Sequence, residues 1–114
     1  MVSTHVEVIG SASGSKAQNA EWFAADLSPE TLSSDQEASK FRISVAVSSA
    51  VDVQCTLDSG TTWLKLNSGN NLVADALYIF DVPTRFGDTF NMRTTNGSGT
   101  TVRICRISEV GMEG

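Results

Sequence analysis

The residues best suited to catalysis are two pairs of carboxylates: Glu21 with Asp26, and Asp75 with Asp81. Glycoside hydrolysis needs two carboxyl groups held across a cleft. The single histidine, His5, lies near the start of the chain and has no identifiable serine and aspartate partners for nucleophilic catalysis. A small domain offers little room for a cleft, so we expect these groups to be solvated and the protein to be non-enzymatic.

Metal binding is the second chemistry that the residue types allow. Four aspartates offer oxygen ligands for a calcium ion, namely Asp58, Asp75, Asp81 and Asp88. They lack the dense spacing of a dedicated calcium loop, and Cys55 and Cys105 lack the spacing of a zinc site. We therefore expect no metal and no cofactor, and we interpret the two cysteines as buried free thiols, although a disulfide between them stays open.

Composition argues against several classes of partner. Eight basic and thirteen acidic residues give a net charge of −5 over 114 residues, which opposes binding to nucleic acid or to an anionic membrane. No apolar run approaches the ~20 residues that cross a bilayer. Met1 to His5 lack the features of a secretory signal, which favours a protein made in the cytoplasm.

From residue 41 onwards the apolar residues recur with period two, which is typical of half-buried strands. Phe41 to Val47 and Val51 to Leu57 are the clearest examples. Leu72 to Val82 is apolar on both alternating sets, which predicts a central strand covered on both faces. Thr101 to Val110 breaks its alternation, so it is either bulged or buried on both sides.

Seven or eight short strands joined by turn residues predict an antiparallel β-sandwich over residues 28–114, with jelly-roll or immunoglobulin-like topology left open. Residues 1–27 differ, because Ser11 to Gln18 is a run of small and polar residues with little to bury. We predict an extended N-terminal arm over residues 1–27 that docks on a neighbour through Trp22 and Phe23. Ser28-Pro29 is predicted to open a short helix.

Residues 56–63 form a recognisable turn motif, with five defined positions filled by Thr56, Asp58, Gly60, Thr62 and Trp63. The octet resembles the Asp-box of sialidases and other extracellular β proteins. The resemblance implies a hairpin in which the Asp58 carboxylate accepts turn amides, Gly60 supplies an unusual φ and Trp63 packs beneath the turn. Asp-boxes lie away from sialidase active sites, so the implied role is structural.

The layout of the chain resembles small β-sandwich virion proteins of tailed viruses, of the capsid decoration or stabilising type. The stretches 41–47, 72–80 and 87–93, together with the Ser/Gly-rich start, carry the likeness. It implies a homo-oligomer in the virion, made in the host cytoplasm, that contacts other capsid proteins through strand edges and the arm. A tail or neck component is one alternative. An extracellular carbohydrate-binding or host-attachment module, stacking sugars on Trp22 and Trp63, is another.

Overall fold

Alternating apolar residues build most of the strands of this protein. The structure is a computed structural model that describes residues 3–29 and 39–113, with side chains for 6–29 and 40–111. The helix predicted to open at Ser28-Pro29 would continue outside the described residues. The strands are β1 (Ser3–Lys16), β2 (Ser39–Val47), β3 (Val53–Thr56), β4 (Leu64–Lys65), β5 (Tyr78–Thr84), β6 (Asn91–Thr94) and β7 (Thr100–Glu113), with a 3-10 turn at Asn67–Gly69.

These strands form two antiparallel sheets, which confirms the predicted antiparallel β-sandwich. One sheet has four strands in the order β1-β7-β2-β5, and the other has three in the order β4-β3-β6. The core side chains come from both sheets. On β2 the alternating residues Phe41, Ile43 and Val45 point into the core and are fully buried. Their cross-strand partners on β5, which are Val82, Phe80 and Tyr78, also face the core.

A bulge explains the broken alternation of β7. Ala46 of β2 lies opposite Ile104, whereas the next residue, Val47, lies opposite Val102, so Arg103 is the extra residue. Val102 and Cys105 consequently both face the core, while the Ile104 side chain points outward and is 44% exposed. Of the two alternatives that the sequence left open, the strand is bulged.

The prediction of a central strand over residues 72–82 is wrong. Only Tyr78–Thr84 is a strand there, and it lies at an edge of the four-stranded sheet. The side chains of Leu77 and Ile79 are 60% and 59% exposed. Apolar residues on both alternating sets fit a covered central strand, but they fit equally well an edge strand with an apolar outer face.

The predicted N-terminal arm is not confirmed, because residues 3–16 form a strand of the protein's own sheet. β1 pairs along the whole length of β7, from Ser3 opposite Glu113 to Lys16 opposite Thr100. Backbone hydrogen bonds hold this strand even over residues 10–15, whose side chains are all small, which composition alone does not reveal. Residues 17–27 then run along β6 of the second sheet, where Leu27 and Phe90 exchange backbone hydrogen bonds at 2.7 and 2.8 Å.

Candidate functional site

The hairpin at residues 56–63 is held by hydrogen bonds centred on two side chains. Thr56 Oγ1 donates to Asp58 Oδ1 at 2.7 Å and accepts from the Gly60 N–H at 2.9 Å. Asp58 Oδ1 also accepts from the Thr62 N–H at 2.8 Å. These bonds favour the charged carboxylate, so the Thr62 amide and then the Thr56 hydroxyl lower the pKa of Asp58. Gly60 has a φ of +89°, a conformation that strongly favours glycine.

Trp63 packs against this turn rather than presenting a free aromatic face. Its half-buried indole lies 3.5 Å from the position that a Gly60 Cβ would occupy. The Arg93 guanidinium carbon lies 4.2 Å from the ring centroid, and Arg93 Nε donates to Gln54 Oε1 at 3.0 Å. The arginine thus lies over the ring face that a stacked sugar would need.

The two residues predicted as docking anchors lie in the protein's own core. Trp22 is 3% exposed and Phe23 is 6% exposed, and both belong to the hydrophobic cluster between the sheets. Phe23 packs against Phe90 with ring centroids 6.3 Å apart. Neither side chain is therefore available to anchor the chain on a neighbour, and Trp22 is not available to stack against a sugar. An apolar pair in the sequence indicates that the two side chains must be buried, but not whether they are buried in the protein's own core or against a neighbouring molecule.

A buried amide holds the segment that contains these aromatics. Asn91 is fully buried, and its Oδ1 accepts from the N–H groups of Phe23 and Met92 at 3.0 and 2.9 Å. Its Nδ2 donates to the Phe23 carbonyl at 2.9 Å. The sequence does not single out Asn91, because an asparagine that alternates with apolar residues on a strand is typical of a solvent-facing position.

The structure brings together Glu21 and Asp26, one of the carboxylate pairs singled out in the sequence. Glu21 Oε2 and Asp26 Oδ1 both accept from Asn91 Nδ2, at 3.1 and 2.9 Å. The two carboxylates therefore converge on a structural amide. This contact ties the loop between β1 and β2 to β6, and it gives both acids a role in positioning the backbone.

The four candidate calcium ligands divide into separate interactions. Asp75 pairs with Arg103 at 3.0 Å, while Asp81 contacts Lys40 at 2.9 Å and Arg42 at 3.1 Å. The hydrogen bond from Arg42, followed by that from Lys40, lowers the pKa of Asp81.

Asp58 and Asp88 line one open depression of about 290 Å³. Asp88 Oδ2 accepts from the Arg85 N–H at 2.7 Å. Over the part of the chain that the structure describes, no group of three or more histidine, cysteine, aspartate or glutamate side chains is placed to hold a metal ion.

Both cysteines are free and buried between the sheets. Burial raises the pKa of Cys55 to about 11 and that of Cys105 to about 12. The Cys105 Sγ lies 3.7 Å from the Met92 Sδ. Thiols in this state are protonated at neutral pH, so they fill space rather than act as nucleophiles.

The edge strands of the two sheets differ in how they are protected from pairing with another strand. Residues 19–27 cover the outer side of β6, with Asn19 N–H donating to the Thr94 carbonyl at 2.8 Å. β5 carries a proline, Pro83, and the charge of Asp81, both of which protect edges from further pairing. β1 is longer, at 14 residues, contains no proline, and within residues 3–29 and 39–113 no strand pairs with its outer side.

The outer face of the four-stranded sheet combines exposed aliphatic side chains with basic ones. Val6, Val8, Leu77, Ile79 and Ile104 are each at least 44% exposed. The basic residues on the same face are Lys40, Arg42, Arg103 and Arg106. Of these aliphatic residues, Leu77 and Ile79 belong to the stretch 72–82 for which a central strand was predicted.

Comparison of the sequence with known protein families and with curated proteins finds no match. None of the helical segments among the described residues has the length and apolarity needed to cross a membrane.

Proposed function

We propose that the protein is a non-enzymatic structural subunit of a virion, of the capsid decoration or stabilising type, which joins its neighbours through strand edges. The observation that carries the proposal is the long outer edge of β1, which has no strand partner among the described residues. A row of unpaired N–H and C=O groups is a template on which another chain can add a strand.

The roles of the ionisable side chains also support a structural protein. Asp58 holds a turn, Glu21 and Asp26 hold a buried amide, and Asp81 is paired with two cations. Each of these carboxylates is occupied by a contact within the chain that stabilises the fold. Catalysis by a pair of carboxyls would instead need both groups directed toward a bound substrate.

The exposed aliphatic residues on the outer face of the four-stranded sheet give further support. Ile79 lies opposite Ser44 of β2, and Ala46, two residues further along β2, lies opposite the exposed Ile104, so Ile79 and Ile104 are on the same face of the sheet. Surfaces of this kind often mark contacts between proteins. A subunit that lies against a larger particle would cover this surface without any change of fold.

Mass spectrometry of particles purified from the source of this sequence would test the proposal. We expect peptides of residues 41–93 to co-sediment with the major shell protein in a density gradient, at a comparable copy number. A copy number of only a few per particle would indicate the tail or neck alternative. Finding the chain only in the slowly sedimenting fractions, while the shell protein sediments with the particles, would contradict the proposal.

A further inference from the structure

We infer that the partner of the β1 edge is a second copy of this chain, paired antiparallel through β1 about a two-fold axis at Ala12. The inference rests on the proposed function, since it names the neighbour that the open edge recruits. Pairing of two β1 strands would join both four-stranded sheets into one continuous sheet of eight strands.

The centre of β1 reads the same in both directions. Residues 10–14 are Gly10, Ser11, Ala12, Ser13 and Gly14. An antiparallel pair centred on Ala12 sets Gly10 opposite Gly14 of the second copy, and Ser11 opposite Ser13. The small side chains allow close approach, and directly opposed serines can exchange cross-strand hydrogen bonds. A Cβ built on Gly14 meets nothing within 4 Å, whereas one built on Gly10 would lie 2.6 Å from the Leu27 side chain of the same chain, so Gly10 also lets Leu27 pack against β1.

A bulge in β1 extends this register to its charged residues. Val8 lies opposite Ser108 of β7 and Gly10 lies opposite Ile107, so Ile9 is an extra residue on β1. If the same bulge is kept on the outer edge, Val8 comes opposite Ser15 of the second copy. The next pair is then Glu7 opposite Lys16, and the two-fold axis produces it twice.

Glu7 and Lys16 are also on the same face of the sheet, as a directly opposed pair must be. Glu7 lies opposite Glu109, whose side chain is buried between the sheets. Lys16 Nζ donates to the Trp22 carbonyl at 3.4 Å, in the segment that runs along the second sheet. These two residues carry the only acid and the only lysine or arginine of β1, so the register unites its opposite charges.

Charge reversal on the purified chain tests the pairing. Native mass spectrometry and light scattering over a range of concentrations should show a dimer for the wild type. Glu7→Lys and Lys16→Glu should each weaken the dimer roughly tenfold, because two attractive pairs become repulsive. Lys65→Glu, an equal charge change on β4 of the other sheet, should leave the dimer unchanged and is the matched control.

Mixing restores the pairing if the register is right. An equal mixture of the Glu7→Lys and Lys16→Glu chains should form a heterodimer of near wild-type affinity, since every opposed pair again has opposite charges. Circular dichroism of each variant establishes that it is folded. A mixture as weak as the separate variants would overturn the inference, as would a wild-type chain that stays monomeric or forms open-ended assemblies.

Disulfide trapping gives a second measurement that is independent of charge. Chains carrying Ser11→Cys and chains carrying Ser13→Cys should crosslink rapidly when mixed, because directly opposed residues lie within disulfide reach. Each chain alone should crosslink far more slowly, since identical positions are two residues out of register. Equal rates in all three samples would overturn the register.

The result of the dimerisation experiments can be distinguished from the result of the particle experiment. A monomeric chain that is present in particles would overturn the β1 dimer and leave the structural role intact. A dimeric chain that is absent from particles would overturn the structural role and leave the β1 dimer intact.

Discussion

Asn91 binds both polar groups of the Phe23 backbone, accepting its N–H at 3.0 Å and donating to its C=O at 2.9 Å. A side-chain amide thus takes the place of a neighbouring strand at this point of β6. Because the amide is fully buried, its removal would take a hydrogen-bond partner from three backbone groups, the N–H and C=O of Phe23 and the N–H of Met92.

Asn91→Ala should therefore lower the free energy of unfolding by about 2–4 kcal/mol, measured by chemical denaturation. Asn91→Asp should be at least as harmful, because it loses the donor and adds a charge beside Glu21 and Asp26. Asn70→Ala, on an exposed loop, is the control and should change little. Equal stability of Asn91→Ala and the control would contradict this account of the loop.

Thr56→Val should loosen the hairpin. Valine keeps the shape of the fully buried Thr56, but it removes the oxygen that accepts the Gly60 N–H and donates to Asp58. We expect a loss of about 1–3 kcal/mol in the free energy of unfolding. Thr61→Val, at an exposed position of the same turn, should have almost no effect. A stability ranking in the opposite order would rule out the hydrogen-bond role of Thr56.

The sandwich and the hairpin could be predicted because their signals are local. Alternation over Phe41 to Val47 sets which side chains face inward, and the turn residues at 58–60 set the reversal. The pairing of β1 with β7 could not be predicted in the same way, because the Ser, Gly and Ala side chains of residues 10–15 carry almost no pattern. Backbone hydrogen bonds to a distant strand, β7, hold it instead.

The positions of apolar residues were harder to predict than their presence. Trp22 and Ile79 are both large and apolar, yet the first is 3% exposed and the second 59%. Which of them is covered depends on the strand order, and therefore on contacts between residues far apart in sequence. Asn91 is a polar residue that is buried, and its burial depends on its hydrogen bonds to the backbone of Phe23, which is far away in sequence.

Substitutions at Ile79 and Ile43 should distinguish an exposed position on the edge strand β5 from a buried position in the core. Ile79→Lys should change the free energy of unfolding by less than about 0.5 kcal/mol, because its side chain is exposed on the outer face. Ile43→Ala should cost about 2–5 kcal/mol, because Ile43 is fully buried and its truncation leaves a cavity. Thermal and denaturant unfolding would measure both. A loss of comparable size for Ile79→Lys would mean that this face is covered.

Stability should fall in acid partly through Asp81. Hydrogen bonds from Arg42 and Lys40 lower the pKa of this carboxyl in the folded protein. Its contribution is therefore present above the unfolded value of about 3.9 and is lost as the pH falls through the folded pKa. Asp81→Asn should flatten this part of a plot of unfolding free energy against pH. An unchanged acid slope would show that the ion pairs are too exposed to matter.

Stability should also fall in alkali through the two thiols. The pKa values of Cys55 and Cys105 are raised to about 11 and about 12, whereas a thiol in the unfolded chain ionises near pH 8.5. Their contribution is complete below the unfolded pKa and is lost as the pH rises toward the folded values, by about 1.4 kcal/mol per pH unit for each thiol.

Unfolding titrations between the neutral range and pH 10.5 should show a steeper decline for the wild type than for a Cys55→Ala, Cys105→Ala double variant. The double variant is expected to be less stable at neutral pH, by about 1–3 kcal/mol, since each change leaves a small cavity. Parallel curves for the two proteins would mean that the thiols ionise alike in the folded and unfolded states, and would contradict the raised pKa values.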